Sequence, residues 1–297
     1  MRTRVLVALA ATLAICMLAG ASTAAAGSFK TPDRHHPHWY TAKFKKKLHK
    51  RGAKGIRLSN EQMNTACPGY AAKGVGANGC IIAPNGCTAN FIFTDGTSKY
   101  IGTAHHCIDP NEDLGNDVGR RLVMQVDTTT VAEVGSVVAH TTDEVPGNDF
   151  ALVKIDADVA AKWGVNPAIP FIGGPNGVYS GCGPEAIKYY GHGYVVAVGP
   201  GKPGGGLATN WNDDGFGWTG TGLPGDSGSG VVTSTGQAAG DLTHLLVDIG
   251  GYPGSNMAGM RATAFMHFLG SGYQLVNADG STSSAPTTNC GPSGLGL

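Results

Sequence analysis

Three short stretches of this 297-residue chain hold the side chains of nucleophilic catalysis: "IGTAHHC" (101–107), "GNDFALVKI" (147–155) and "LPGDSGSGVV" (223–232). A serine hydroxyl attacks only when a neighbouring base takes its proton, and imidazole titrates near neutral pH. A buried carboxylate fixes the tautomer of that imidazole and stabilises the imidazolium that forms. The glycines around Ser227 permit a sharp turn that can aim backbone N–H groups at a developing oxyanion, each worth roughly 3–4 kcal/mol. Taken singly, a Gly-Asp-Ser-Gly stretch is usually a turn, a His-Cys pair a piece of core, and an Asp before a strand a cap. The weight lies in all three together, with strands around them.

In chain order these segments resemble the signatures of the chymotrypsin-like (trypsin-like) serine proteases: T-A-x-H-C, D-x-A-L and G-D-S-G. The resemblance covers roughly residues 75 to 270. Its short Asp149 to Ser227 interval is similar to that of the compact bacterial secreted, streptogrisin-like members. What it implies is an all-β fold of two six-stranded antiparallel β-barrels, with the active site between them and a C-terminal helix. It selects His106 as base and leaves His105 in a variable position, with Asp149 orienting the base and Ser227 as nucleophile. The N–H groups of Gly225 and Ser227 would form the oxyanion hole. It also implies a Cys87–Cys107 disulfide clamping the strand that delivers the base; closing such a loop contributes about 3 kcal/mol in chain-entropy terms. Two departures stand out. Ser229-Gly230 replace Gly-Pro after the nucleophile, and no Ile-Val-Gly-Gly start is visible to pair with Asp226.

The segment Trp218 to Pro224, with Thr221 at its middle, would form the floor of the specificity pocket and carries no Asp to receive Lys or Arg. The stretch "LTHLL" (242–246) resembles the strand that pairs with extended substrate, which would set Thr243, His244 and Leu245 along the peptide and Gly259 near the pocket wall. His244 reads either as a residue recognising an acidic or polar side chain or as a packing residue beside the cleft. The resemblance implies no cofactor. "DPNEDLGND" (109–117) spaces oxygen ligands at alternate positions as calcium loops do, yet departs from an EF-hand, since Arg120 stands where its bidentate Glu belongs. The loop therefore reads either as a Ca2+ site or as a plain solvated acidic loop.

Positioning these residues falls to short strands. "CTANFIFTD" (87–95) and "SKYIGTAHH" (98–106) flank an Asp95-Gly96 turn, a strong hairpin signal. Further strands are expected over 121–128, 131–140, 149–156, 187–199, 229–236 and 241–251, and "RATAFMHFLG" (261–270) spaces its apolar residues like a helix. Glycine, 47 residues, runs at about twice its usual share, and charged residues at 14% fall well below the usual ~25%, a balance that favours turns and strands. With a hinge near 163–177, the barrels would span about 75–165 and 166–275.

Ahead of them, a basic start (Met1 to Arg4), an apolar run (Val5 to Gly20) and Ala24 to Ala26 read as a secretory signal peptide over 1–26. The basic stretch 27–66 reads as a prosegment, its portion 35–57 extended or poorly ordered, and 67–297 as the catalytic domain. The first 57 residues hold twelve of the 21 Lys and Arg but one of the 21 Asp and Glu. The remainder carries nine basic and twenty acidic side chains, net −11, which repels phosphate backbones and argues against nucleic acid as a partner. Six cysteines outside the signal, with no C-x-x-C pair, indicate three disulfides rather than zinc ligation. Given Cys87–Cys107, three pairings remain for the other four, Cys67–Cys80 with Cys182–Cys290 being the most local. The expected protein is secreted, monomeric and free of the membrane once the signal is cut, and it acts on peptide or protein substrates. An α/β-hydrolase fits poorly, because Ser229 breaks G-x-S-x-G and the order of the triad differs. A secreted binding protein with an idle site on the same fold is the rival reading.

Overall fold

The structure, a computed structural model, describes residues 37–69, 73–109, 115–142, 145–193, 203–245 and 254–291. The expected signal segment 1–26, and residues 194–199 and 246–251 of the strands expected over 187–199 and 241–251, lie outside them.

The Asp95-Gly96 turn forms as its residues dictate. The Asp95 carboxylate accepts from the amides of Thr97 (2.8 Å) and Ser98 (2.6 Å), and Gly96 adopts φ +88°. That turn joins Ile92–Thr94 to Lys99–Thr103 in an antiparallel hairpin. In chain order, the six strands of the first ring are Cys80–Ala83, the segment 87–94 (paired at both ends, Cys87–Thr88 and Ile92–Thr94), Lys99–Thr103, Arg121–Gln125, Thr130–His140 and Ala151–Ile155. They pair antiparallel in the order first, fourth, fifth, sixth, third, second, and the second returns to the first. The second six are Glu185–Tyr190, Pro203–Trp211, Gly215–Gly220, Gly230–Thr233, the segment 238–245 (Ala238–Asp241 and His244–Leu245) and Met257–Met260. They pair in the same cyclic order and close in the same way. Each ring has one strand broken in two, which lets a short sheet curl shut and leaves few open edges.

Ile81, Ile101, Leu122, Met124, Val134 and Val153 fill the first barrel, and Ile187, Phe216, Trp218, Val231 and Leu242 the second. Between them lies a third apolar cluster, in which Phe91, Phe93 and Phe150 meet Tyr190 and Val232 from the second barrel and Phe265 from the helix Ala262–Leu269. Phe150 stacks on Phe265 with centroids 4.7 Å apart. After that helix the chain returns to the first barrel, where Gln274–Val276 pairs with Ile92–Thr94. The three disulfides are Cys67–Cys80, Cys87–Cys107 and Cys182–Cys290.

One expectation is corrected here: the described part of the basic stretch is folded and packed. Ala42–Arg51 is a helix whose N-cap, Thr41, accepts from Phe44 N (3.3 Å), and Asn60–Ala66 is a helix opened by a Ser59/Gln62 capping box. The strand Ile56–Arg57 pairs with Thr130–Val131. Within the charge run, Tyr40, Phe44 and Leu48 recur at i, i+4, i+8 and give the helix an apolar stripe. Leu48 is fully buried in a cluster with Ile56, Leu58 and Met63 against Ile82, Val123 and Val131 of the first barrel. Leu48→Ala should therefore cost about 2–5 kcal/mol of stability, read from urea melts.

Candidate active site

The 3-10 turn His105–Cys107 follows directly on Lys99–Thr103, so the hairpin strand delivers the histidines. Cys107, bonded to Cys87 at the far end of the same hairpin, holds that turn from below. Asp149 stands just before the neighbouring strand Ala151–Ile155 and is fully buried. Its Oδ2 lies 2.7 Å from His106 Nδ1, and its Oδ1 accepts from the His106 amide at 3.1 Å. One carboxylate thus fixes both the backbone and the ring of His106. That pair leaves Nδ1 protonated and Nε2 as the basic atom of His106. Burial pushes the Asp149 carboxyl up, but the charge and hydrogen bonds of His106, with His244 nearby, outweigh it and hold the group below the usual carboxylate range.

Ser227 comes from the second barrel. Its carbonyl accepts from Thr88 N at 2.9 Å and lies 3.6 Å from Cys107 Sγ, which itself is 3.8 Å from His106 Nε2. The turn is tied across the barrels, since Thr88 Oγ1 donates to Gly225 O (2.8 Å). Gly225 has φ +98° and Gly228 φ +84°, and a Cβ at Gly228 would collide with Thr88 O, so this approach demands glycine. Asp226 accepts from Gly193 N (2.6 Å) and Leu223 N (2.8 Å). Ser229, the departure from Gly, is buried and donates through its hydroxyl to Asp226 O at 2.6 Å.

The Ser227 turn and His106 therefore meet at the seam between two barrels of identical strand order. This is the chymotrypsin-like two-barrel fold.

Solved structures of this fold similar to the chain include one described as a glutamic acid-specific serine protease that uses a histidine triad in substrate binding. It is 20% identical, with 66% of this chain and 98% of that one covered and a TM-score of 0.40. A Glu endopeptidase is 17% identical (72% and 94% covered, TM-score 0.42), as is Thermobifida fusca protease A (69% and 98%, 0.39). No protein-family model and no curated protein sequence matches.

Thr243 is buried, its N–H donating to Ala258 O (3.0 Å) and its Oγ1 lying 2.7 Å from His244 Nδ1. The His244 ring sits edge-on to His106 with centroids 6.5 Å apart. Leu245 and Met257 close over Gly222, where any side chain would strike both. Gly259 permits a close approach to Asp241 O. A cavity of about 270 Å³ beside the nucleophile turn is lined by Thr221, Leu223 and Asp226 with Tyr189, Gly204 and Asn256. Among the expected substrate residues only Thr221 lines it. Of the calcium reading, residues 110–114 lie outside the described residues, and Asp109 and Asp117 are buried rather than solvated.

One residue of the site escaped the sequence. Asp241 is fully buried in the second barrel, accepting from Met260 N (3.1 Å) and from Asn90 Nδ2 of the first (3.3 Å). Burial, then the Asp149 charge, push its carboxyl well above the ordinary range. An unfolded chain releases this proton near ~3.9, whereas the folded chain keeps it, so this group's contribution to stability falls as pH rises through that window. Urea melts should show wild type losing stability relative to Asp241→Asn from about pH 4 towards neutral, whatever fixed offset the amide brings. A pH-independent difference would refute the assignment.

Proposed function

We propose that the protein is a secreted serine endopeptidase that acylates Ser227 and deacylates with water. The observation that carries this is the fully buried Asp149 bound to both Nδ1 and the amide of His106, with the Ser227 turn tied against the same Cys107. His106 Nε2 takes the Ser227 proton as Oγ attacks the scissile carbonyl, then passes it to the leaving amine; water repeats the sequence on the acyl-enzyme. Charge on the tetrahedral oxygen is taken by the N–H groups of Gly225 and Ser227, neither of which is spent on a hydrogen bond within the described residues. Residues 1–26 act as the signal peptide and 27–66 as a basic prosegment ahead of the catalytic domain 67–297, which works as a monomer away from the membrane. Three disulfides, and the fact that no described helix is long and apolar enough to span a bilayer, are compatible with export.

Fluorophosphonate labelling of the purified protein, with mass mapping and a His106→Ala control, tests this reading. Modification at Ser227 that vanishes in the control supports an activated nucleophile. No labelling of folded, processed material favours a secreted peptide-binding protein with an idle site.

For the side chain that precedes the cut bond, His244 supports recognition of a carboxylate, because its ring faces the catalytic histidine and is oriented by Thr243. A hydrogen bond to a charged group contributes about 1.5–3 kcal/mol. His244→Ala should therefore lower kcat/KM on peptides with Glu at that position by about 10- to 100-fold, and leave those with Phe nearly unchanged. Equal loss on both would mean that His244 only packs.

A further inference from the structure

Behind the catalytic turn lies a second group of ionisable side chains that hydrolysis does not use. His105, Asp109 and Asp117 are 0%, 0% and 2% exposed, and one ligand atom from each lies within 4.8 Å of the others. His105 Nε2 stands 3.3 Å from Asp117 Oδ2, while Arg120 pairs with the other oxygen, Oδ1. The ring of His140 stacks on His105 (centroids 4.3 Å, 19° between planes). Its Nδ1–H donates to Thr141 O at 2.8 Å, and its Nε2 accepts from Asp117 N at 3.3 Å. Asn85 Nδ2 donates to His106 O (2.7 Å) and Asp109 O (3.0 Å), joining the cluster to the backbone of the base.

Burial of ionised carboxylates costs several kcal/mol each unless charge compensates it. The carboxylates of Asp109 and Asp117 share this buried site with the His105 imidazole and the Arg120 guanidinium. The spacing suits a divalent ion. Two ligands about 2.0–2.1 Å from a tetrahedral zinc lie about 3.3 Å apart, the separation of His105 Nε2 and Asp117 Oδ2. One imidazole nitrogen with two carboxylate oxygens is a donor set for zinc, whereas calcium collects six to eight oxygens. Arg120 on the outer carboxylate oxygen, and His140 on the Asp117 amide, are the supports that orient such ligands.

We propose that His105 Nε2, Asp109 and Asp117 form a structural zinc site at the root of the turn that carries His106. Zinc takes the lone pair of His105 Nε2, the single ring proton residing on Nδ1, and ties Asp109 and Asp117 to that turn. It stabilises the native chain without touching substrate.

The test uses the full-length secreted protein, dialysed against chelator and then loaded with ZnCl2. Expected are one zinc per chain after gel filtration, a Tm that rises with zinc, and loss of both in Asp109→Asn and Asp117→Asn. Arg120→Ala should bind zinc about 10- to 100-fold more weakly. Zinc retained equally by Asp109→Asn would place it elsewhere and would overturn the proposal. So would a Tm response to CaCl2 but not to ZnCl2, or no response to either. Should the Asp variants fail to fold, Co2+ added to wild type decides: tetrahedral ligand-field bands in the visible support the site, and their absence refutes it.

Discussion

Ser227→Ala should lower kcat for peptide hydrolysis by about 10⁶-fold while KM stays near its wild-type value. The size follows from the division of labour at the seam. Without Oγ no acyl-enzyme forms, and His106 and Asp149 have no proton to manage, so one deletion removes the contribution of all three. What remains, roughly 10³–10⁴ over uncatalysed hydrolysis, comes from substrate binding and the N–H groups of Gly225 and Ser227. The fold should be untouched, because the turn is held by Thr88, Asp226 and Ser229 rather than by the Ser227 hydroxyl. A variant with normal circular dichroism and more than a tenth of wild-type activity would place the nucleophile elsewhere.

Asp149→Asn should cost about 10⁴ in kcat at neutral pH. Its Oδ1 can still accept from the His106 amide, but an amide NH2 would then face Nδ1 in place of the oxygen 2.7 Å away. The ring answers by presenting Nδ1 as acceptor, so Nε2 carries the proton and cannot take another from Ser227. The same substitution alters acid stability. The folded Asp149 carboxyl sits below its unfolded value, so its contribution is present above about pH 4 and is lost as pH falls through the folded value. Wild type should therefore lose stability on acidification more steeply than Asp149→Asn. Parallel melting curves below about pH 4, or kcat within tenfold of wild type, would argue against this pairing.

Local chemistry was legible where neighbours in sequence are neighbours in space. The Asp95-Gly96 hairpin and the helix Ala262–Leu269 form within the stretches that signal them, because a carboxylate reaching two residues on, or a 3.6-residue period, needs nothing distant. Pro203–Trp211 ran the other way. Its three consecutive glycines, 204–206, give no strand signal in the sequence, yet they pair as strand residues, and side chains at Gly204 and Gly206 would collide with Tyr189 and with Thr219 O. The helix Ala42–Arg51 was hidden by its lysines, although the Tyr40, Phe44, Leu48 spacing and the Thr41 cap were there to be read.

The sequence by itself determined the residue types of the site, the strand-rich composition and the even set of cysteines, all properties of single residues or short spans. Tertiary structure decided the rest. Only closure of both rings brings His106 and Ser227, 121 positions apart, against one disulfide, and only the packing of the barrels buries Asp241 beside Asp149. A carboxyl takes its proton affinity from the dielectric and charges around it, and those neighbours come from the other barrel. The same physics gathers Asp109, Asp117 and His140 around His105, whose adjacency to the base in sequence says nothing of what encloses it.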